Sequence, residues 1–534
     1  MKKTFISAAA ILAFTAAGHA DELSDIQAQA KQIREQNAAM TKRLADLEKR
    51  QKSLEAKPTI NPVDAMAADL PYKAAVKAKP VENDDICIKG ICVYGSFDMG
   101  VSYIQHTSPF VATAGGPLDT LVGTNGAVGH YFGVDSNMIS ASFIGLRGKQ
   151  EIGDNLYAVF NLMTIFNPAS GMNANGAAGV IQNNGLALPS SQNAFGDSSK
   201  GGQMFNNAAY FGISSPTYGT FTMGRQSALT SDMMGNYDPI ANAGAFSVLA
   251  YQGLNGGGGD TENRIYDNSY EYRVNIGPVR LAAEMQAKNG GNSGTGNAYE
   301  GDIGFDYMGL SMDFAGGKIY DAIQIASPLS AAQLAAAATT ISAGNGLASI
   351  KVSDNTVFSV GAKYTIGPWK LFGGYEHVDF ANPDNPLNPG AFLQGGNIAA
   401  VVNNTNFTIK DRIMQTAWFG VRYAITPALD ITGAYYHEWQ NNFNPSNNSN
   451  LGLNCNQASI SAGCSGNLDA VSVVADWRFA RHVDLYAGVM YSQVTGGLAN
   501  GYVGTTVNAQ GVALANPTNK SSNYDPSIGL RYQF

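Results

Sequence analysis

The residues of this chain that could do chemistry are few, and their spacing argues against catalysis. Six histidines are present. On a strand, His377 and Asp379 would share a face but have no nucleophile beside them, whereas the neighbours His437 and Glu438 would point to opposite faces. No His-Glu-x-x-His pair, Gly-x-Ser-x-Gly elbow or phosphate-binding glycine loop occurs. An enzyme is not expected, and no cofactor or metal is implied. The four cysteines fall in two close pairs, Cys87 with Cys92 and Cys455 with Cys464. In an oxidising compartment such pairs read as local disulfides, because Cys-x4-Cys without a second such pair or a nearby histidine is a weak metal signal. Spacing alone leaves their connectivity open.

The compartment is indicated by residues 1–20. Lys2 and Lys3 precede an apolar run over 5–17 and the small-residue end Gly18-His19-Ala20, the pattern of a signal peptide whose removal starts the mature chain near Asp21. No later stretch is long and apolar enough to cross a bilayer as a helix, so periplasm, outer membrane and medium remain. Gly is 61 of 534 residues, charged residues are 14% and aromatics 10%, and mean hydropathy is near neutral. A barrel with one wet and one lipid-facing side averages this way. The formal net charge of −8 becomes −10 once Lys2 and Lys3 leave with the signal. Such a chain is a poor nucleic-acid binder, because that binding rests on neutralising phosphates.

Three regions follow. Over 21–57, Leu23, Ala30, Asn37, Leu44 and Gln51 repeat at one heptad position and Ile26, Ile33, Met40, Leu47 and Leu54 at another. This narrow seam predicts a coiled-coil helix, with a single amphipathic helix on a surface as the alternative. Residues 58–86 carry Pro58, Pro62, Pro71 and Pro80 and read as an extended linker. From 87 to 534 the pattern is short alternating segments. The first, 93–104, puts Val93, Phe97, Met99, Val101 and Tyr103 on one face and Tyr94, Ser96, Asp98 and Ser102 on the other. The last puts Ile528, Leu530, Tyr532 and Phe534 opposite Gly529, Arg531 and Gln533. Between them, 138–150 and 156–166 flank a tight turn, and similar segments continue to a count of about sixteen, with short turns alternating with long polar loops. One loop, around 329–338, is alanine-rich and helix-prone. The fold expected is all-β, a transmembrane antiparallel barrel of about sixteen strands preceded by an N-terminal α-helical coiled coil.

Particular segments carry a resemblance. Residues 145–153 (GLRGKQEIG) followed by 156–160 (LYAVF) resemble the second and third strands of the general porins of Gram-negative bacteria. Residues 209–213 (AYFGI) and 218–226 (YGTFTMGRQ) resemble their fourth and fifth strands, 264–269 (RIYDNS) the start of the sixth, and 483–488 (VDLYAG) with the terminal strand their end. The similarity runs in family order across the region after the linker. It implies an outer-membrane homotrimer in contact with lipid and lipopolysaccharide, passing small hydrophilic solutes and ions passively through a water-filled channel. It also implies that Phe534 is the signal read by the barrel-assembly machinery, and that the connection over 227–262 folds into the barrel and narrows it. The acids of that loop, Asp232, Asp238, Asp260 and Glu262, would then face wall arginines Arg147, Arg225 and Arg264 across the narrowest point. Strict alternation would aim Arg225 at lipid, so either a bulge or the strand ending at Gly224 is needed to turn it inward.

Two departures concern charge. Phe143 and Asn207 stand where family members often carry inward basic residues, and with the net charge this predicts a weak preference for cations. The N-terminal helix is expected to lie in the periplasm, within reach of peptidoglycan. A substrate-preferring channel, an envelope tether or adhesin that uses the barrel as an anchor, and a hydrolase on the barrel rim are the other readings; conductance of small ions separates a channel from the tether and the hydrolase.

Overall fold

The computed structural model describes residues 86–107, 129–173, 204–250, 265–287, 296–325, 346–386, 392–395, 398–443, 464–496 and 520–534, together with Lys31 and Lys42. The chain divides into two compact units, Met1–Asn61 and Pro62–Phe534. Of the expected coiled coil only Lys31 and Lys42 are described, both helical and exposed; the rest of it, the signal peptide, the linker up to residue 85 and the alanine-rich loop lie outside the described residues, and Ile86, expected to end the linker, begins a strand.

The second unit is a barrel of sixteen strand positions. These are β1 (Ile91–Thr107), β2 in two pieces (Gly129–Ser136 and Phe143–Gly153), β3 (Leu156–Asn167), β4 (Ala208–Ser215) and β5 (Gly219–Ser227). Next come β6 (Ile265–Ile276), β7 (Val279–Gln286), β8 (Ala298–Tyr307), β9 (Leu310–Ile325), β10 (Gly346–Ile366) and β11 (Trp369–Ala381). The last are β12 (Arg412–Thr426), β13 (Leu429–Gln440), β14 (Gly466–Ala480), β15 (Val483–Gly496) and β16 (Lys520–Gln533). Each pairs antiparallel with the next, and β1 pairs with β16 from Ser96↔Gln533 to Ser102↔Ser527, which closes the sheet. Closure matters because every backbone group in the wall must find its partner within it.

Alternation decides the faces. Phe97, Met99 and Val101 on β1, and Ile528, Leu530 and Tyr532 on β16, stand exposed on the outside, while Ser96, Asp98, Ser102, Ser527 and Arg531 are buried on the inside. Short turns at one end of the barrel use left-handed residues such as Asn155, Gly277 and His482, which lets the chain reverse within two or three residues. Connections at the other end are long, and the start of β10 is extended there by parallel pairing with Ile398–Asn404. At the short-turn end a small strand, Ile86–Ile88, hairpins onto β1 with Cys87 opposite Cys92, and the two form a disulfide. Cys464 is disulfide-bonded as well, and Cys455 lies outside the described residues.

One strand differs from its expected form. Instead of running unbroken over 138–150, β2 stops at Ser136, turns inward through 137–142 and resumes at Phe143. Asn137 takes a positive φ of 60° there, and Asp98 on β1 supplies the polar partners that residues 137–142 lose by leaving the ladder. Asp98 Oδ2 accepts from the backbone N–H groups of Ile139 (2.9 Å) and Ser140 (2.7 Å), and its carbonyl oxygen accepts from that of Asn137 (3.0 Å). No described helix is long and apolar enough to cross a membrane, which says nothing of the strands.

Candidate functional site: the inward loop

After β5 the chain enters the barrel and follows its inner wall over 228–250. Helix α1 (Leu229–Tyr237) starts the path. No side chain of its own caps it; instead Glu300 of β8 accepts hydrogen bonds from the Thr230 N–H (3.1 Å) and hydroxyl (3.0 Å), placing a carboxylate at the end where the helix carries partial positive charge. The other end is met by donors. Lys363 Nζ of β10 donates to Asn236 O (3.2 Å), Trp418 Nε1 of β12 to Tyr237 O (3.0 Å), and Arg422 of β12 to Pro239 O (2.6 Å). Arg280 of β7 donates to the Tyr237 hydroxyl (3.2 Å) and to Asp313 (2.6 Å), and pairs with Asp306.

Beyond the helix the loop becomes apolar. Ala243, Ala245, Phe246, Val248 and Leu249 are buried against Leu468, Ala470, Val474, Tyr486, Met490 and Val494 of β14 and β15. The wall leaves room for it by carrying glycine where the loop comes closest. A Cβ at Gly361 would lie 2.5 Å from the Tyr237 ring, one at Gly420 2.2 Å from Pro239, and one at Gly488 2.9 Å from Phe246. Gly304 does the same for the Arg280–Asp313 pair, since a Cβ there would fall 1.5 Å from Asp313 Oδ1.

The expected site residues take several different places. Asp238 is buried and accepts from the Tyr436 hydroxyl (2.6 Å) and from the N–H groups of Asn242 (2.6 Å) and Ile240 (3.2 Å), so it fixes the loop to β13 instead of facing the lumen. Burial pushes its carboxyl above the usual range, against the hydrogen bonds it accepts. Asp232 is likewise buried, paired with Arg273 of β6, which also holds Glu271 (2.6 Å). Arg225 turns inward at a bulge between Gly224 and Gln226, where Gly224 has φ 134°. There it pairs with Asp267 and donates to Asn206 O (3.0 and 2.8 Å), beneath the loop entrance. Arg147 lies half-buried over the Tyr94 ring at 4.9 Å, and Phe143 packs edge-on against the same ring. Arg264, Asp260 and Glu262 lie outside the described residues.

Alternation could have found the residues missed. Arg273, Arg280, Lys363 and Arg422 are each in phase with the inward residues of their own strands. His377 and His437 face the other way: His377 stacks on Phe358 on the outer wall, and His437 Nδ1 meets Asp469 (2.8 Å), which also accepts from Tyr435 (2.7 Å).

A closed sixteen-stranded barrel with one connection laid along its inner wall is the architecture of a β-barrel pore protein. The chain belongs to the Gram-negative porin family, whose model matches residues 65–497. A stretch of 150 residues is 26% identical to an outer membrane porin protein of Bordetella pertussis and covers 28% of this chain and 31% of that relative. Among solved structures, the chain is similar to an anion-selective porin from Comamonas acidovorans (15% identity, 83% of this chain and 99% of that one, TM-score 0.49). It is also similar to the trimer form of OmpT, an outer membrane protein of Vibrio cholerae (14%, 83% and 99%, TM-score 0.47).

Proposed function

We propose that the protein is an outer-membrane porin, a water-filled channel for passive diffusion of small hydrophilic solutes and ions. The observation that carries this is the loop over 228–250, fixed to the inner wall from β6 to β15, which over these residues narrows the barrel from one side. Reconstituted in planar bilayers, the folded protein should give discrete conductance steps. If well-folded barrels give none, the tether or adhesin reading replaces this one.

The charge preference is weak and for cations. The net charge of −10 favours them; the burial of many inward carboxylates, which takes negative charge away from the lumen, and an arc of partly exposed bases, Arg273 and Arg280 with side chains 33% and 29% exposed, oppose it and keep the preference weak. A reversal potential of anion-selective sign under a KCl gradient counts against this preference. The working unit is a homotrimer. Strands β4 and β5 have 8 and 9 residues, which at the tilt usual in such barrels rise only about 20 Å, short of the apolar band of ~25 Å. A second copy would cover the exposed Phe211, Ile213, Phe221 and Met223 there.

A further inference from the structure

The inward loop is held at two places, and the second lies on the seam where the barrel closes. Met138, in the segment that interrupts β2, accepts a hydrogen bond at its carbonyl from the Ala245 N–H of the loop (2.8 Å). Its side chain lies over Gly100 and Gly529, which face each other across the β1–β16 seam; a Cβ on either would come within 2.6 and 2.9 Å of the Met138 methyl. A second route joins the same points. Phe246 of the loop packs edge-on against Tyr486 of β15 (centroids 6.4 Å), and the Tyr486 hydroxyl donates to Asp98 Oδ1, the carboxylate that holds 137–142 in place through Oδ2. Asp98 thus joins the seam, the interruption in β2 and the loop.

We infer that Asp98 and Met138 are positioning residues of the pore, a clasp that holds the far end of the inward loop to the closure seam and so fixes the width the helix alone leaves open. The interruption in β2 then has a cause: six residues leave the ladder to reach the loop. Its effect on conductance rests on the porin reading, whereas its effect on the loop does not. Helix α1 has its own anchors on β6 to β12, so losing the clasp loosens 243–250, which then rests on its burial against β14 and β15, and leaves 229–237 in place.

The test uses Asp98→Asn, which puts an amide N–H₂ among the donors that the carboxylate serves, and Met138→Ala, which uncovers the glycine pair. If Asp98→Asn does not fold, Tyr486→Phe removes one donor and keeps the ring. Hydrogen exchange in the folded barrel should show faster exchange at 243–250 with 229–237 unchanged, and single channels should show greater open-channel current noise with unchanged electrophoretic folding. Exchange at 243–250 equal to wild type in the folded variants overturns the clasp. Faster exchange with unaltered current leaves the clasp as a structural tie and removes its role in the pore. A wild-type protein that conducts no current instead overturns the porin reading, and exchange still decides the clasp.

Discussion

The two ends of the inward loop are held by different physics. At the helix end, polar partners meet the backbone: Glu300 at the start, and Lys363, Trp418 and Arg422 at the finish. At the far end five apolar residues are buried against β14 and β15, with few polar ties, among them the Ser472 hydroxyl donating to Phe246 O (2.6 Å). Hydrogen bonds made in place of bonds to water add little net energy but fix direction, while apolar burial adds more and is nearly indifferent to orientation. The polar ties at the helix end therefore set where the loop lies, while burial holds it at both ends, through Met233, Met234 and Tyr237 of the helix and, with few polar ties beside it, through the five apolar residues of the far end.

The sharpest way to break this comparison is Phe246→Ala. Phe246 is fully buried, and truncating such a ring costs about 3–5 kcal/mol. Because the loop can open without unfolding the barrel, the loss should appear as faster hydrogen exchange over 243–250, with the urea midpoint of the whole barrel moving less. A loss below ~1 kcal/mol would place the main anchor at the helix after all.

Tyr436→Phe probes the polar end. It removes one of the donors to the buried Asp238, and because Ile240, Asn242 and Ser247 still donate, the cost falls at the low end of the range for a lost buried hydrogen bond, about 1 kcal/mol. Exchange should quicken over 236–242, and at less cost than for Phe246→Ala. A larger cost than the apolar truncation would reverse the ranking of the two ends.

The barrel itself was legible because a wall with lipid outside and water inside enforces a period of two, and short turns punctuate it. Sixteen segments, the bulge before Arg225 and the inward phase of Asp98 all follow from that period. The inner loop follows a different rule. Asp232 and Asp238 were expected to face the lumen on the resemblance alone, yet both are buried by contact with walls far away in sequence. Residues 138–142 read as strand because Met138 and Ile139 suit one; the competing signal is Asp98, forty residues away, whose carboxylate takes their backbone N–H groups. Gly361, Gly420 and Gly488 mark the path of the loop, and a glycine in a strand does not say what approaches it.

Arg280→Gln sharpens the charge side of the comparison. Arg280 keeps 29% of its side chain exposed and serves Asp306, Asp313 and the Tyr237 hydroxyl, so its loss removes a base from the lumen and leaves two acids less compensated. The reversal potential in a KCl gradient should move toward cations while the conductance stays close to wild type. An unchanged reversal potential would mean that Arg280 does not contribute to the field sensed by permeating ions, and a move toward anions that its loss rearranges the acids it serves.

The smallest expected effect is in the response to pH. Asp238 lies in the loop, and burial raises its pKa above the ordinary 3.8, with hydrogen bonds from Ser247, Tyr436, Asn242 and Ile240 working against the rise. A carboxyl whose folded pKa is raised binds its proton more tightly in the folded state. Its stabilising contribution is therefore fully present below its unfolded value, about pH 4, and is lost as pH rises through the folded value. Acid should thus hold this stretch of loop more firmly, the reverse of what a salt-bridged acid would do. Asp238→Asn cannot titrate, still accepts from Tyr436, and should flatten the response. The measurement is exchange protection over 240–247, corrected for the intrinsic pH dependence of exchange and compared between wild type and variant from neutral pH downward. Protection in the wild type that falls relative to the variant on acidification would mean that Asp238 is held as a stabilised carboxylate, and that its hydrogen bonds outweigh its burial.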